Sequence, residues 1–190
     1  MAQSQSLKTI FLGDSGVGKT SIINTKCCDR FDSELPPTIG SSVFSTIVKV
    51  NGTEVELKLW DTAGQEQYNS LIPMFSRNAN VCILVADITS QKSIDNLDKW
   101  VTILHDSGEN PPIILVFNKI DKLSPTDNTI QKMSEKFSDE YNGLVFVSAL
   151  TGEGIKQIFK KAATEGLKVL EGTTGDRKNN LQANNSKCNC

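Results

Sequence analysis

Gly13-Asp14-Ser15-Gly16-Val17-Gly18-Lys19-Thr20 decides the fold of this chain. It fits G-x-x-x-x-G-K-[ST] and stands between the apolar run Thr9-Ile10-Phe11-Leu12 and a helix-like segment. Strand, glycine-rich turn and helix in that order let consecutive backbone N–H groups of Ser15 to Thr20 face phosphate oxygens. The Lys19 ammonium then reaches the β and γ phosphates and the Thr20 hydroxyl is placed for Mg²⁺. The helix beginning near Lys19 adds its dipole and its unpaired N–H groups toward the same anion. Such a loop holds phosphate without choosing a base.

Two further stretches, each after an apolar run, supply the choice. Asp61-Thr62-Ala63-Gly64-Gln65 follows the run ending at Trp60, and Asn118-Lys119-Ile120-Asp121 follows Ile113 to Phe117. The Asp121 carboxylate can accept two hydrogen bonds from the N1–H and exocyclic amine of guanine, groups that adenine does not present. Alone, Asn118 to Asp121 would read as a solvated turn after a buried strand. With the other two stretches present, all three describe one guanine nucleotide site.

Working outward, apolar runs at Leu7 to Leu12, Val43 to Val50, Val55 to Trp60, Val81 to Ala86, Ile113 to Phe117 and Leu144 to Val147 predict six strands. Helices are predicted over about 19–29, 66–76, 91–106, 127–139 and 153–170, with Ser90 or Thr89 capping the third. Asn51-Gly52 is a two-residue hairpin signal, so one antiparallel strand joins an otherwise parallel sheet. Right-handed crossovers place helices on both faces of this α/β fold. Ligands of such sheets bind outside the carboxyl ends of the strands, where the motif loops all fall. From Glu171 the apolar periodicity stops, which predicts one domain over 1–170 and a disordered tail over 171–190. Extended, that tail would reach roughly 60–70 Å.

With 190 residues, 38% of them hydrophobic, the chain can bury a sizeable core. Its formal net charge of −2 and the lack of any block of like charge leave no electrostatic footprint for nucleic acid, so proteins are the expected partners. The segment Met1 to Ser6 has no basic residue and no long apolar run, and nothing approaches the ~20 apolar residues of a membrane span. A cytosolic chain with reduced thiols at Cys27, Cys28 and Cys82 is expected. The Asn51 and Asn184 glycosylation patterns are discounted on that ground, and His105, the only histidine, lies near no motif.

GDSGVGKT at 13–20, PPTIG at 36–40, WDTAGQE at 60–66, NKID at 118–121, SAL at 148–150 and the closing Cys-Asn-Cys resemble the Rab family of Ras-like small GTPases. The resemblance covers about residues 6–170, with a matching tail. It implies a P-loop NTPase fold with a Ras-like six-stranded mixed sheet and a GTP/GDP switch that uses Mg²⁺. By this likeness Thr20, Thr38 and Asp61 attend the Mg²⁺, and the Thr38 and Gly64 N–H groups meet the γ phosphate. Gln65 orients the attacking water, so that Gln65, Lys19 and Thr38 carry the chemistry. Phe31 meets the base edge-on, Asn118 donates to its purine edge, the Lys119 stem lies on its plane and the Ala149 N–H meets O6. Ser148 props Asp121.

The likeness also implies an exchange factor, a GTPase-activating protein, an escort or GDP-dissociation-inhibitor protein and effectors, around a monomer. With no arginine identifiable as an intrinsic finger, a partner supplying one could gain roughly 10³–10⁵ in rate. Val43, Trp60 and Phe75 correspond to the effector surface, but Val43 replaces the usual phenylalanine, and Phe75-Ser76-Arg77-Asn78-Ala79 replaces Tyr-Tyr-Arg-Gly-Ala. Gln67 and Leu150 stand where arginine and, beside the base, lysine are usual. Cys188 and Cys190 resemble a doubly geranylgeranylated ending, since Lys187 occupies the place a C-a-a-X cysteine needs. Two lipids suit a tail with no strong basic patch. The implied location is cytoplasmic, cycling to the cytosolic face of vesicle or endosomal membranes, with Ser41-Ser42 and Pro73-Met74 closest to the early-endosomal branch. Two rival readings are a P-loop ATPase or nucleotide kinase, in which ATP competes equally, and a nucleotide-bound module that no longer switches. Asp121 argues against the first, and Gln65, Thr38 and Asp61 against the second.

Overall fold

A computed structural model describes residues 5–28, 36, 38, 40–64 and 70–185, with side chains as far as 172. Its strands are β1 (Gln5–Leu12), β2 (Ser41–Val50), β3 (Thr53–Thr62), β4 (Val81–Asp87), β5 (Ile113–Asn118) and β6 (Gly143–Phe146). They form one sheet in the order β2-β3-β1-β4-β5-β6. Only β2 runs antiparallel, paired with β3 from Ser41↔Thr62 to Val50↔Thr53; every other pairing is parallel. Asn51 and Gly52 both take positive φ, 50° and 83°, as the tight turn between β2 and β3 requires.

Alternation sorts the side chains onto two faces. Leu7 and Phe11 of β1 join Leu57, Ile83 and Val116 against Ile22 and Ile23 of α1 (Lys19–Cys28) and Phe159 and Ala162 of α6 (Ile155–Asn185). Ile10 and Leu12 point the other way, with Leu84, Leu115 and Phe117, against α2 (Ile72–Ser76), α4 (Leu97–Asp106) and α5 (Thr129–Phe137). β4 and β5 are buried along their whole length, which explains why they read as unbroken apolar runs.

The helices differ from expectation in three places. The predicted 91–106 helix is two, α3 (Gln91–Asp95) and α4, separated by a turn at Asn96, a poor helix former whose side chain is bonded to a distant loop. Ser90 does cap α3, its side chain accepting from the Ser93 N–H at 3.4 Å. The described part of the predicted 66–76 helix is a 3-10 turn at 70–71 leading into α2, with Pro73 in its first turn where no N–H is needed; residues 65–69 lie outside those described. The helix predicted over 153–170 is α6, whose backbone continues through Asn185.

The loops after β1, β3, β4, β5 and β6 open on one rim. Phe117 holds the sheet under two of them, fully buried with the rings of Phe137 and Phe146 each 5.6 Å away. Phe117→Ala is expected to lower the unfolding free energy by about 3–5 kcal/mol, measured as an earlier urea midpoint with an unchanged slope.

Candidate functional site

Lys19 begins α1 yet is buried, because its side chain folds back under the loop after β1. Nζ donates to the carbonyls of Gly13 at 2.7 Å and Asp14 at 2.8 Å. Burial pushes the ammonium down to about 8, against the upward pull of Asp61 and Asp14. A cation held this way raises the local potential where an anion would enter.

Asp61 approaches from β3. Its Oδ2 accepts from the Thr20 hydroxyl at 2.7 Å and lies 3.4 Å from the Thr38 hydroxyl, and the two hydroxyls are 2.9 Å apart. Its Oδ1 is buried with no hydrogen-bond partner among the described residues. Burial raises the pKa of this carboxyl despite the Thr20 bond and the Lys19 charge. An unpaired carboxylate oxygen beside two hydroxyls is a donor set that fits a hard divalent cation. No cluster of three His, Cys, Asp or Glu accompanies it among the described residues, so a ligand's own oxygens would have to complete the shell. Gly64 crosses the phosphate loop so closely that a Cβ there would sit on Lys19 Nζ and 2.5 Å from Asp14 C and Ser15 N.

On the far side, Asn118 ends β5 with both ends of its amide engaged. Nδ2 donates to the Val17 carbonyl at 2.9 Å and Oδ1 accepts from the Ala149 N–H at 3.0 Å. Lys119 adopts a left-handed φ of 70°. That conformation is uncommon for a side-chain-bearing residue and is held here by two contacts, Nζ to the Gly16 carbonyl at 2.7 Å and to Asp87 Oδ2 at 2.6 Å. Burial opposes ionisation of Asp87, but the bonds from Lys119 and Thr89 outweigh it and hold the carboxyl below its ordinary range. The Ser148 hydroxyl donates to Asp121 Oδ1 and accepts from the Thr151 N–H at 3.1 Å. Thr25 of α1 donates to the Ala149 carbonyl at 2.9 Å, tying the loop after β6 to the helix that starts at Lys19.

These loops enclose one cleft of about 420 Å³, lined among others by Lys19, Thr38, Gly64, Asn118, Asp121 and Leu150. Cationic and N–H-rich at one end and carboxylate-bearing at the other, it suits an anionic tail joined to a planar base with adjacent donors. Gly16, Gly18, Thr20, Lys119 and Ala149 line it too. Sequence reasoning assigned Asn118 and the Ala149 N–H to the base alone, whereas here they bond to each other. Phe31, Gln65, Cys188 and Cys190 lie outside the described residues.

Val43 is 54% exposed, but Phe75 is only 5% exposed because its ring lies 6.2 Å from that of Trp60. Lys8 Nζ also lies over the Trp60 ring, 4.2 Å from its centre. Exposed large apolar side chains among the described residues include Val43, Ile47 and Met74. Ile47 was legible in principle, since it shares the parity of Val43 along β2. Asp87 was missed although it too ends a central strand on the binding rim.

The Ras family sequence model matches residues 8–168. Ras-related protein RABF2b of Arabidopsis thaliana is 38% identical over 165 residues, covering 85% of this chain and 81% of that protein.

Lys19 gives a pH test of this site. The unfolded chain keeps the lysine proton up to about its ordinary 10.5, whereas the folded chain releases it near 8. The unfolded state therefore binds more protons between those values, so the Lys19 contribution to stability rises with pH across the window and its penalty is complete below it. In nucleotide-free protein, Lys19→Met should remove that rise, seen as a pH-dependent difference between the two unfolding free energies.

Proposed function

Since the chain belongs to the Ras family of GTPases, with a Rab-related protein among its relatives, we propose that it is a Rab-type switch. Loaded with GTP and Mg²⁺ it recruits effectors to vesicle membranes, and slow hydrolysis to GDP, accelerated by an activating protein, releases them. One observation carries this reading: the buried ammonium, the Thr20 and Thr38 hydroxyls that meet Asp61, and the Asn118 and Asp121 loop border a single cleft.

In this reading Lys19 binds the β and γ phosphates with the N–H groups of Ser15 to Thr20. Thr20, Thr38 and Asp61 would hold Mg²⁺, which when bound would supply charge neutralisation at the phosphates. Lys19 and the N–H groups of Thr38 and Gly64 stabilise charge on the transferred phosphoryl group, while Gln65 orients the water for in-line attack. Asp121, propped by Ser148, reads the guanine N1–H and amine. The second Asn118 amide hydrogen serves the base while the first stays on Val17. Phe31, the Lys119 stem and Leu150 surround the ring.

The surface and tail complete the proposal. Effectors read Val43 and Trp60 together with the exposed Ile47 and Met74, so truncating Val43 changes partner choice without touching nucleotide chemistry. The domain of 1–170 is carried by a segment ending in Cys188 and Cys190, the proposed geranylgeranyl acceptors. Cys188→Ser/Cys190→Ser should abolish lipid incorporation and vesicle binding while single-turnover hydrolysis stays unchanged.

The first test is one turnover of phosphate release from GTP and Mg²⁺ in excess ATP, beside Gln65→Leu. Slow release that ATP leaves undisturbed, and that falls at least about tenfold in the variant, is expected. Displacement by ATP would overturn the guanine assignment, and equal release from both proteins would remove Gln65 from the chemistry.

A further inference from the structure

Asp14 is an unspecified position of the phosphate-loop pattern, and its side chain faces away from the cleft toward the joint between α3 and α4. Oδ2 accepts from Asn96 Nδ2 and Oδ1 from Trp100 Nε1, both at 2.7 Å. Trp100 is 2% exposed and packed among Leu97, Leu104 and Leu115, so its N–H is a fixed donor. Asn96 is equally constrained by backbone bonds on both sides, its N–H to the Lys92 carbonyl and its carbonyl to the Trp100 N–H.

The backbone of the same residue meets the reacting end of the site. The Asp14 carbonyl is one of the two acceptors of Lys19 Nζ, and the Asp14–Ser15 peptide is what Gly64 packs against. A carboxylate beside a polyphosphate would repel it. Two neutral donors satisfying both oxygens turn that charge away and fix the peptide on which Lys19 and Gly64 register.

We infer that Asn96 and Trp100 are positioning residues for phosphate binding and hydrolysis, acting through Asp14. This rests on the GTP site proposed above, and on no contact of either residue with the nucleotide. The joint between α3 and α4 thereby belongs to the nucleotide machinery. A shift of about 1 Å in a positioned group is enough to cost roughly 10²-fold in rate.

The test compares the parent with Trp100→Phe, which keeps a ring but deletes the N–H, with Asn96→Asp, which sets carboxylate against carboxylate, and with the swap Asp14→Asn/Asn96→Asp. Release of a fluorescent GDP analogue, single-turnover GTP hydrolysis and the thermal midpoint are read for each. Both single variants should release GDP roughly tenfold faster or more, as expected for losing a hydrogen bond to a charged group, and hydrolyse more slowly. The swap should recover most of the loss. Its amide at position 14 can donate to the carboxylate at position 96, while the amide carbonyl still accepts from Trp100.

GDP release and hydrolysis like the parent's in both single variants would overturn the inference. So would a swap no better than Asn96→Asp at an equal thermal midpoint. If Asn96→Asp does not fold, Trp100→Phe decides alone, with unchanged release overturning the proposal. A parent that fails to retain GDP or hydrolyse GTP would instead count against the site assignment, which separates the two failures.

Discussion

The Asn118 side chain is the joint on which the cleft depends. One buried amide spans from the Val17 carbonyl to the Ala149 N–H and so fastens together loops that leave β1, β5 and β6. An amide is suited to this because it is donor at one end and acceptor at the other without carrying charge. The contact also dictates a neighbour. Gly18 has a φ of 99°, and a Cβ there would run into Asn118 Nδ2, so that position of the loop admits only glycine. The same amide therefore explains both the spacing of the phosphate loop and its distance from the loop that faces the base.

Around that joint, charges are arranged in opposed pairs rather than scattered. Lys19 is desolvated against backbone carbonyls while Lys119 is satisfied by Asp87 and the Gly16 carbonyl. The first ammonium is held loosely enough in proton terms that an anion would strengthen its charge. The second already has a carboxylate partner and is spent on fixing the loop. Asp61, with one oxygen bonded and the other without a partner among the described residues, completes the contrast, since a buried unpaired oxygen is costly until a cation arrives. Ligand binding and local stability are thus coupled through the same few atoms.

Most of the fold was readable because its signals are local. Alternation and run length gave the strands to within a residue or two, and Asn51-Gly52 gave the hairpin, since its two positive φ angles suit those residues. The three loop motifs were equally plain because their chemistry lies in backbone geometry and short spacing. What stayed hidden depends on partners far along the chain. The helix joint at Asn96 reflects a bond to Asp14, 82 residues away, and Asp87 becomes part of the site only through Lys119. Phe75 reads as a surface ring until Trp60 is seen beside it. The helical course of α6 past Leu170 was hidden for another reason, because composition reports lack of a core and not lack of backbone hydrogen bonds.

The order of the sheet divides the molecule mechanically. The loops that Asn118 fastens together grow from β1, β5 and β6, and the first two of these strands have neighbours on both sides. β2, which follows Thr38 and displays Val43 and Ile47, lies at the margin, hydrogen-bonded within the sheet to β3 alone while Phe44 and Val48 of its other face pack on the core. Side chains on its outward face can change without altering the pairing of the central strands. Grip and display are consequently separable properties: this architecture lets the outward surface diversify by substitution while the interior half is left as it was.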